Sequence, residues 1–165
     1  METEKNMEKY EVYRSMNENL SKAMRAGFYY QAIFIEYAII EDRCLSALRH
    51  AGVKYLDSKG HEIKLSQKLT KMCDNPAFHI PYIRQRITLE LLEEITEWKQ
   101  ERDKLIHALA KIPYDHDSVQ EIATRGQELV RVLSNKVKSV NNYYTKRQEH
   151  LNVITALDNI KKQPS

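Results

Sequence analysis

The chain has 165 residues, 42% of them hydrophobic and 30% charged, with a formal net charge of +3. That length suits one domain with its own core, and the composition excludes a disordered segment. Only four Gly and four Pro occur, which predicts long uninterrupted helices. The mild basic excess permits nucleic-acid binding without proving it.

The first thirteen residues, METEKNMEKYEVY, are charged and lack the apolar core of a secretory signal. Cys44 and Cys73 show no metal-ligand spacing, and two thiols in such a chain imply a reducing cytoplasm rather than a disulfide framework. The richest apolar run, Phe28 to Ile40, is interrupted by Gln31 and Glu36 and is too short to span a bilayer. A cytoplasmic protein without a membrane partner is expected.

In chain order, a first helix is predicted over about residues 3–25, with Tyr10, Tyr13, Leu20 and Met24 as a scattered apolar face. Ala26-Gly27 breaks it. The second, over about 28–50, is apolar almost all round in its first half, which marks the most buried helix. Ala51-Gly52 ends it, and residues 53–61 form a loop with Gly60 at its tip. A short third helix, about 62–73, stops before Asn75-Pro76. Pro81 closes the next loop, and a fourth helix covers about 82–111 until Pro113 ends it.

Ser118 and Glu121 form a capping box that opens a fifth helix. Its seam is Val119, Ile122, Leu129, Val130, Leu133, Val137 and Val140. The helical pattern continues past Tyr143 and Tyr144, with a break near His150, to Ile160, and KKQPS is a frayed tail. There is no internal repeat and no period-2 stretch. The expected fold is a single all-α domain, an up-and-down bundle of about five helices.

Arg102 stands where this pattern calls for leucine. Ile87, Leu91, Ile95, Trp98, Arg102, Leu105, Leu109 and Ile112 follow one another at spacings of three and four, the seam by which the fourth helix packs. A guanidinium there keeps its charge, so it must be paired, hydrated or aimed at an anion. Five residues on comes His107, the side chain type whose pKa lies near neutrality. RNA cleavage needs a base for the ribose 2′-hydroxyl, an acid for the leaving oxygen and positive charge on the phosphorane. Histidine and arginine cover these without a metal or cofactor. Asp103 can orient either partner.

On a straight helix five residues turn His107 about 140° from Arg102. A working pair therefore needs the helix to unwind before Pro113 or, the preferred arrangement, a composite site between two copies. The structural alternative is an Arg102 that neutralises a buried carboxylate and a His107 that is merely a surface residue. A second Arg–His match, Arg43 to His50, has Cys44 after its Arg and a His that abuts a helix end.

Glu36 lies in the middle of the most apolar helix. A buried carboxylate needs a partner, and Arg102 or Arg43 can supply one, either to position the site or as a plain ion pair. Tyr114, Asp115 and His116 follow the fourth helix closely enough to shape the site. His61, His79, His116 and His150 lack metal-ligand spacing, so no metal site is expected. Lys64, Lys68 and Lys71 form a basic strip, ordinarily a solvated face and otherwise a weak RNA contact. Tyr143, Tyr144, Lys146 and Arg147 mix aromatics with charge as an RNA-stacking patch does, although such tyrosines are more often packing.

The string Glu101-Arg102-Asp103-Lys104-Leu105-Ile106-His107, late on a long helix, resembles the R-x(4–6)-H signature of the HEPN superfamily, where a polar residue typically follows the Arg. The stretch GFYYQAIFIEYAIIEDRCLSALRHAG is similar to the apolar helix with an internal Glu that often precedes it. The resemblance implies a homodimer that brings two motifs together. It also implies metal-independent endoribonuclease activity on RNA, leaving a 2′,3′-cyclic phosphate and a 5′-hydroxyl. Arg102 and His107 are then the catalytic pair, Asp103 the supporting polar residue, and Glu36 a looser match.

HEPN proteins commonly act as toxins or in phage defence, sometimes beside a nucleotidyltransferase antitoxin, and many have become binding modules. Two further readings stand beside this one. The chain is a non-catalytic helical interaction or regulatory protein whose Arg102 pairs with Glu36, or it binds nucleic acid through the lysine strip without cleaving it.

Overall fold

Six α-helices and one 3₁₀ turn account for most of the described residues of the computed structural model, which are 2–109, 111 and 115–161, with side chains described for 10–109, 111 and 115–156. The helices are α1 (Glu2–Arg25), α2 (Tyr29–His50), α3 (Leu65–Asp74), α4 (Pro81–Arg84), α5 (Leu89–Ala108) and α6 (His116–Lys161). Among the described residues the only β-type pairing is an isolated antiparallel bridge, Leu56 to Glu62. This is the all-α bundle that the apolar periodicity predicts.

The central element is α2. Ala32, Ile33, Glu36, Ile39, Ile40, Cys44, Leu45 and Leu48 are all buried, wider than one stripe, because α1, α3 and α6 pack around it. Helix α1 runs antiparallel to it, burying Leu20 and Ala23 and donating the Tyr13 hydroxyl to Asp42. The reversal needs Gly27 at φ 72°, which lets the Phe28 amide reach back to the Ala23 carbonyl at 2.9 Å. Gly52, at φ 67°, ends α2 by the same device, with the Val53 amide on the Leu48 carbonyl at 2.9 Å.

The most extensive packing is of α2 on α6. The two run parallel: Glu36 lies against Gly126, and Asn141 Nδ2 donates to Ser46 Oγ at 2.9 Å. Helix α5 runs antiparallel to α6. Trp98 Nε1 donates to the Ile122 carbonyl at 3.0 Å, and Arg125 reaches Glu97 at 2.9 Å and Glu101 at 3.0 Å. The four long helices thus alternate in direction, and α3 packs on both α2 and α5.

The fold departs from the periodicity in four places. The third helix begins at Leu65 rather than 62, because Glu62 is held in its bridge to Leu56. The predicted fourth helix is two: α4 ends at Arg84, and α5 starts after Thr88, whose Oγ1 accepts the Leu91 amide at 3.2 Å. Ile87 is therefore fully buried but precedes the helix whose seam it was expected to join. Asp115, not Ser118, caps α6, since its carboxylate takes both the Ser118 amide at 2.8 Å and the Ser118 hydroxyl at 2.7 Å. Finally, α6 runs unbroken past His150. Every side chain from 145 to 156 is exposed, so the change of pattern there marks the loss of a packing partner, not of the helix. Ile112, Pro113 and Tyr114 lie outside the described residues.

Candidate functional site

Arg102 lies at the margin of the bundle where α5 passes α2, its side chain 16% exposed. Its Cζ is 4.4 Å from the centre of the Tyr37 ring and 5.4 Å from that of Phe34. These two aromatics are three residues apart on α2 and so share a face. Nη1 donates to Asp103 Oδ1 at 3.0 Å. Nε is buried without a hydrogen-bond partner, and Nη2 makes no hydrogen bond among the described residues. The cation is thus held by two rings and one carboxylate while most of its donors are unused.

Asp103 is gripped twice, since Lys99, one turn back on α5, donates to its other oxygen at 2.6 Å. Burial alone would raise the Asp103 pKa, but the hydrogen bonds from Lys99 and Arg102 outweigh it and hold the carboxyl below the usual range. Asp103 therefore stays anionic at neutral pH and serves to orient Arg102, not to give protons. Burial and the charge of Glu41 push the Tyr37 hydroxyl upward against the pull of Arg102, so that ring stays neutral.

The remaining expected site residues scatter. His107 is exposed, and α5 stays helical through Ala108, so no unwinding brings it round to Arg102. Glu36 is fully buried, but neither of its oxygens has a hydrogen-bond partner, which corrects the expected pairing with Arg102 or Arg43. Arg102 turns instead to its own neighbour Asp103, through Nη1 alone. Arg43 shares a face with Glu36 but lies two turns, about 10 Å, further along α2, where its Nε donates to the Tyr13 hydroxyl at 2.7 Å and its Nη2 pairs with Asp42 at 3.4 Å. His116 is exposed, its ring edge-on to Tyr29 at 5.1 Å and without a contact to Arg102 among the described residues. Tyr114 lies outside the described residues.

The lysine strip does not form. Lys64 is exposed at the start of α3 and Lys71 is half-buried, but Lys68 between them is fully buried, paired with Glu41 at 3.3 Å and with Glu62. Its place on the inner face was readable from its spacing with Leu65, Leu69 and Met72, all buried. Three participants at Arg102 were missed: Phe34, Tyr37 and Lys99. The four-residue step from Lys99 to Asp103 was the available signal for the last. The two rings gave none beyond sharing a helix face.

No helix among the described residues is long and apolar enough to cross a membrane. Comparison of the chain with protein-family models, with curated proteins and with solved structures finds no match.

Proposed function

We propose that the chain is a cytoplasmic, metal-independent endoribonuclease of HEPN type that works as a homodimer, with Arg102 and His107 as the catalytic pair. The observation that carries this reading is the state of Arg102: a permanent cation, mostly shielded from water, with a buried Nε that nothing accepts from. A phosphodiester offers the missing acceptors. His107 takes the proton of the ribose 2′-hydroxyl, the 2′-oxygen bonds to phosphorus, and the bond from phosphorus to the 5′-oxygen breaks. The leaving oxygen takes a proton from the imidazole of the second copy, while Arg102 neutralises the phosphorane. The exposure of His107 and its separation from Arg102 round α5 favour such a shared site over one built within a single chain. A toxin or defence role, with a nucleotidyltransferase-type antitoxin, belongs to the same reading.

The test is cleavage of labelled single-stranded RNA in EDTA. Wild type should cut and leave 5′-hydroxyl ends. Arg102→Ala and His107→Ala should each lose about a hundredfold or more, with helical circular dichroism and oligomer mass unchanged. RNA left whole by wild type, or cut equally well by His107→Ala, overturns the reading.

A non-catalytic interaction module is the second reading. It is favoured by the exposed rings of Tyr30 and Phe34, 36% and 50% accessible, on the face of α2 against which Arg102 of α5 lies. On this reading Phe34→Ala changes association and leaves RNA untouched.

A further inference from the structure

Toward the end of the bundle where α2 finishes, about 24 Å along that helix from Phe34, planar side chains from two segments meet. Tyr82 of α4 and Tyr143 of α6 are stacked, ring centres 5.1 Å apart and planes 22° from parallel. The guanidinium of Arg86 lies over Tyr82, 3.5 Å from its ring centre. Arg86 is fixed by one hydrogen bond, from Nη1 to the Tyr82 carbonyl at 2.9 Å. The result is a column, Tyr143–Tyr82–Arg86, that ends in a guanidinium plane. Tyr82 is 40% exposed, so the column is not core.

Tyr144 meets Tyr143 edge-on at 5.4 Å and joins the column to a cleft of about 590 Å³ beneath the overhanging part of α6, lined also by His50 and Arg147. The segments that build this end are cationic. Leaving aside the buried Lys68, residues 44–86 carry seven Lys or Arg against three Asp or Glu, and residues 136–152 carry four against one. Residues 89–131, which supply α5 and the start of α6, carry ten acidic against six basic. The modest net charge therefore conceals a strongly divided one.

We propose that this column and cleft bind single-stranded nucleic acid: an unpaired base extends the column on the open side of Arg86, and the cationic edge with Arg147 takes phosphates. Bases stack on guanidinium planes as they do on aromatic rings, and every base has a face to offer, so sequence matters little. An acidic peptide would feel the same charge but has no use for a planar column. The inference stands whether or not RNA is cut at Arg102.

The experiment is fluorescence anisotropy in EDTA, on wild type and on the Arg102→Ala form, with a short labelled oligouridine, its deoxy counterpart and a duplex. Single strands should bind with a log–log salt slope of about −0.7 per phosphate contacted, and the duplex more weakly. Tyr82→Ala and Arg86→Ala should each weaken single-strand binding about tenfold. Arg86→Lys, which keeps the charge and removes the plane, should weaken it as well, while circular dichroism stays helical. Preference for the ribo- or deoxyribo-strand, or for neither, identifies the natural source and supports the proposal in each case. It is overturned if no single strand binds, if Arg86→Lys binds as wild type does, or if inorganic polyphosphate or an acidic peptide competes as well as oligouridine. RNA bound but left whole by the wild type defeats only the catalytic reading.

Discussion

The carboxyl of Glu36 occupies the space that a side chain at position 126 would need. A Cβ on Gly126 would stand 2.1 Å from Glu36 Oε2 and 2.8 Å from Trp98 Nε1. Helices α2, α5 and α6 therefore meet at a point where α6 can offer only backbone. Among the described residues no charged group compensates Glu36, and burial raises its pKa to about 9, so within the fold it is a neutral acid at physiological pH.

Gly126→Ala should destabilise the protein. The glutamate end could swing aside, but the indole is pinned by its hydrogen bond to the Ile122 carbonyl and cannot. Overpacking of this kind costs about 1–3 kcal/mol, of which the better helix propensity of alanine returns up to about 1 kcal/mol. Chemical denaturation measures the difference, and a variant as stable as wild type would refute the close approach.

Stability should fall as pH rises from about 4.5 toward 9. Across that window folded Glu36 keeps a proton that the unfolded chain has released, so the contribution is complete below the ordinary pKa of 4.5 and is lost on the way to the folded value of about 9. The slope from this one group is up to about 1.4 kcal/mol per pH unit. Glu36→Gln should flatten the dependence in thermal melts. Glu36→Leu should also raise the melting temperature at pH 8, because it removes a buried group with unmet hydrogen bonds.

Lys68 should matter for folding and not for nucleic acid. Its partners Glu41 and Glu62 are 32% and 43% exposed, so water can take over their solvation when the lysine is gone. Lys68→Met, which keeps the volume, is expected to cost about 1 kcal/mol or less. Lys68→Ala, which leaves a cavity, should cost about 2–4 kcal/mol. Lys68→Met should bind oligouridine as wild type does, and a weakened affinity would contradict the burial of this side chain.

Arg102→Met should separate folding from function. The methionine retains contact with Phe34 and Tyr37, removes the unpartnered Nε and leaves Asp103 with Lys99. The loss of stability is expected to stay within about 1 kcal/mol, while RNA cleavage disappears. A loss of several kcal/mol would assign Arg102 to the architecture and take away the reason for placing chemistry there.

The helical class, the extents of α1 and α2 and the seam of α6 follow from the sequence by itself. Spacings of three and four among apolar residues, and glycines at 27 and 52, act within one helix and its stop. The split at residues 85–88 was harder, because the Thr88 cap competes with an apolar register that runs straight through it. The tertiary structure alone decided who meets whom. Arg102 pairs with Asp103 and leaves Glu36 without a partner, Lys68 turns inward to Glu41, and Tyr82 stacks on Tyr143. Each of these depends on how the helices from α2 to α6 lie against one another, and that arrangement is set by the sum of all their packing, which no local pattern of residues encodes.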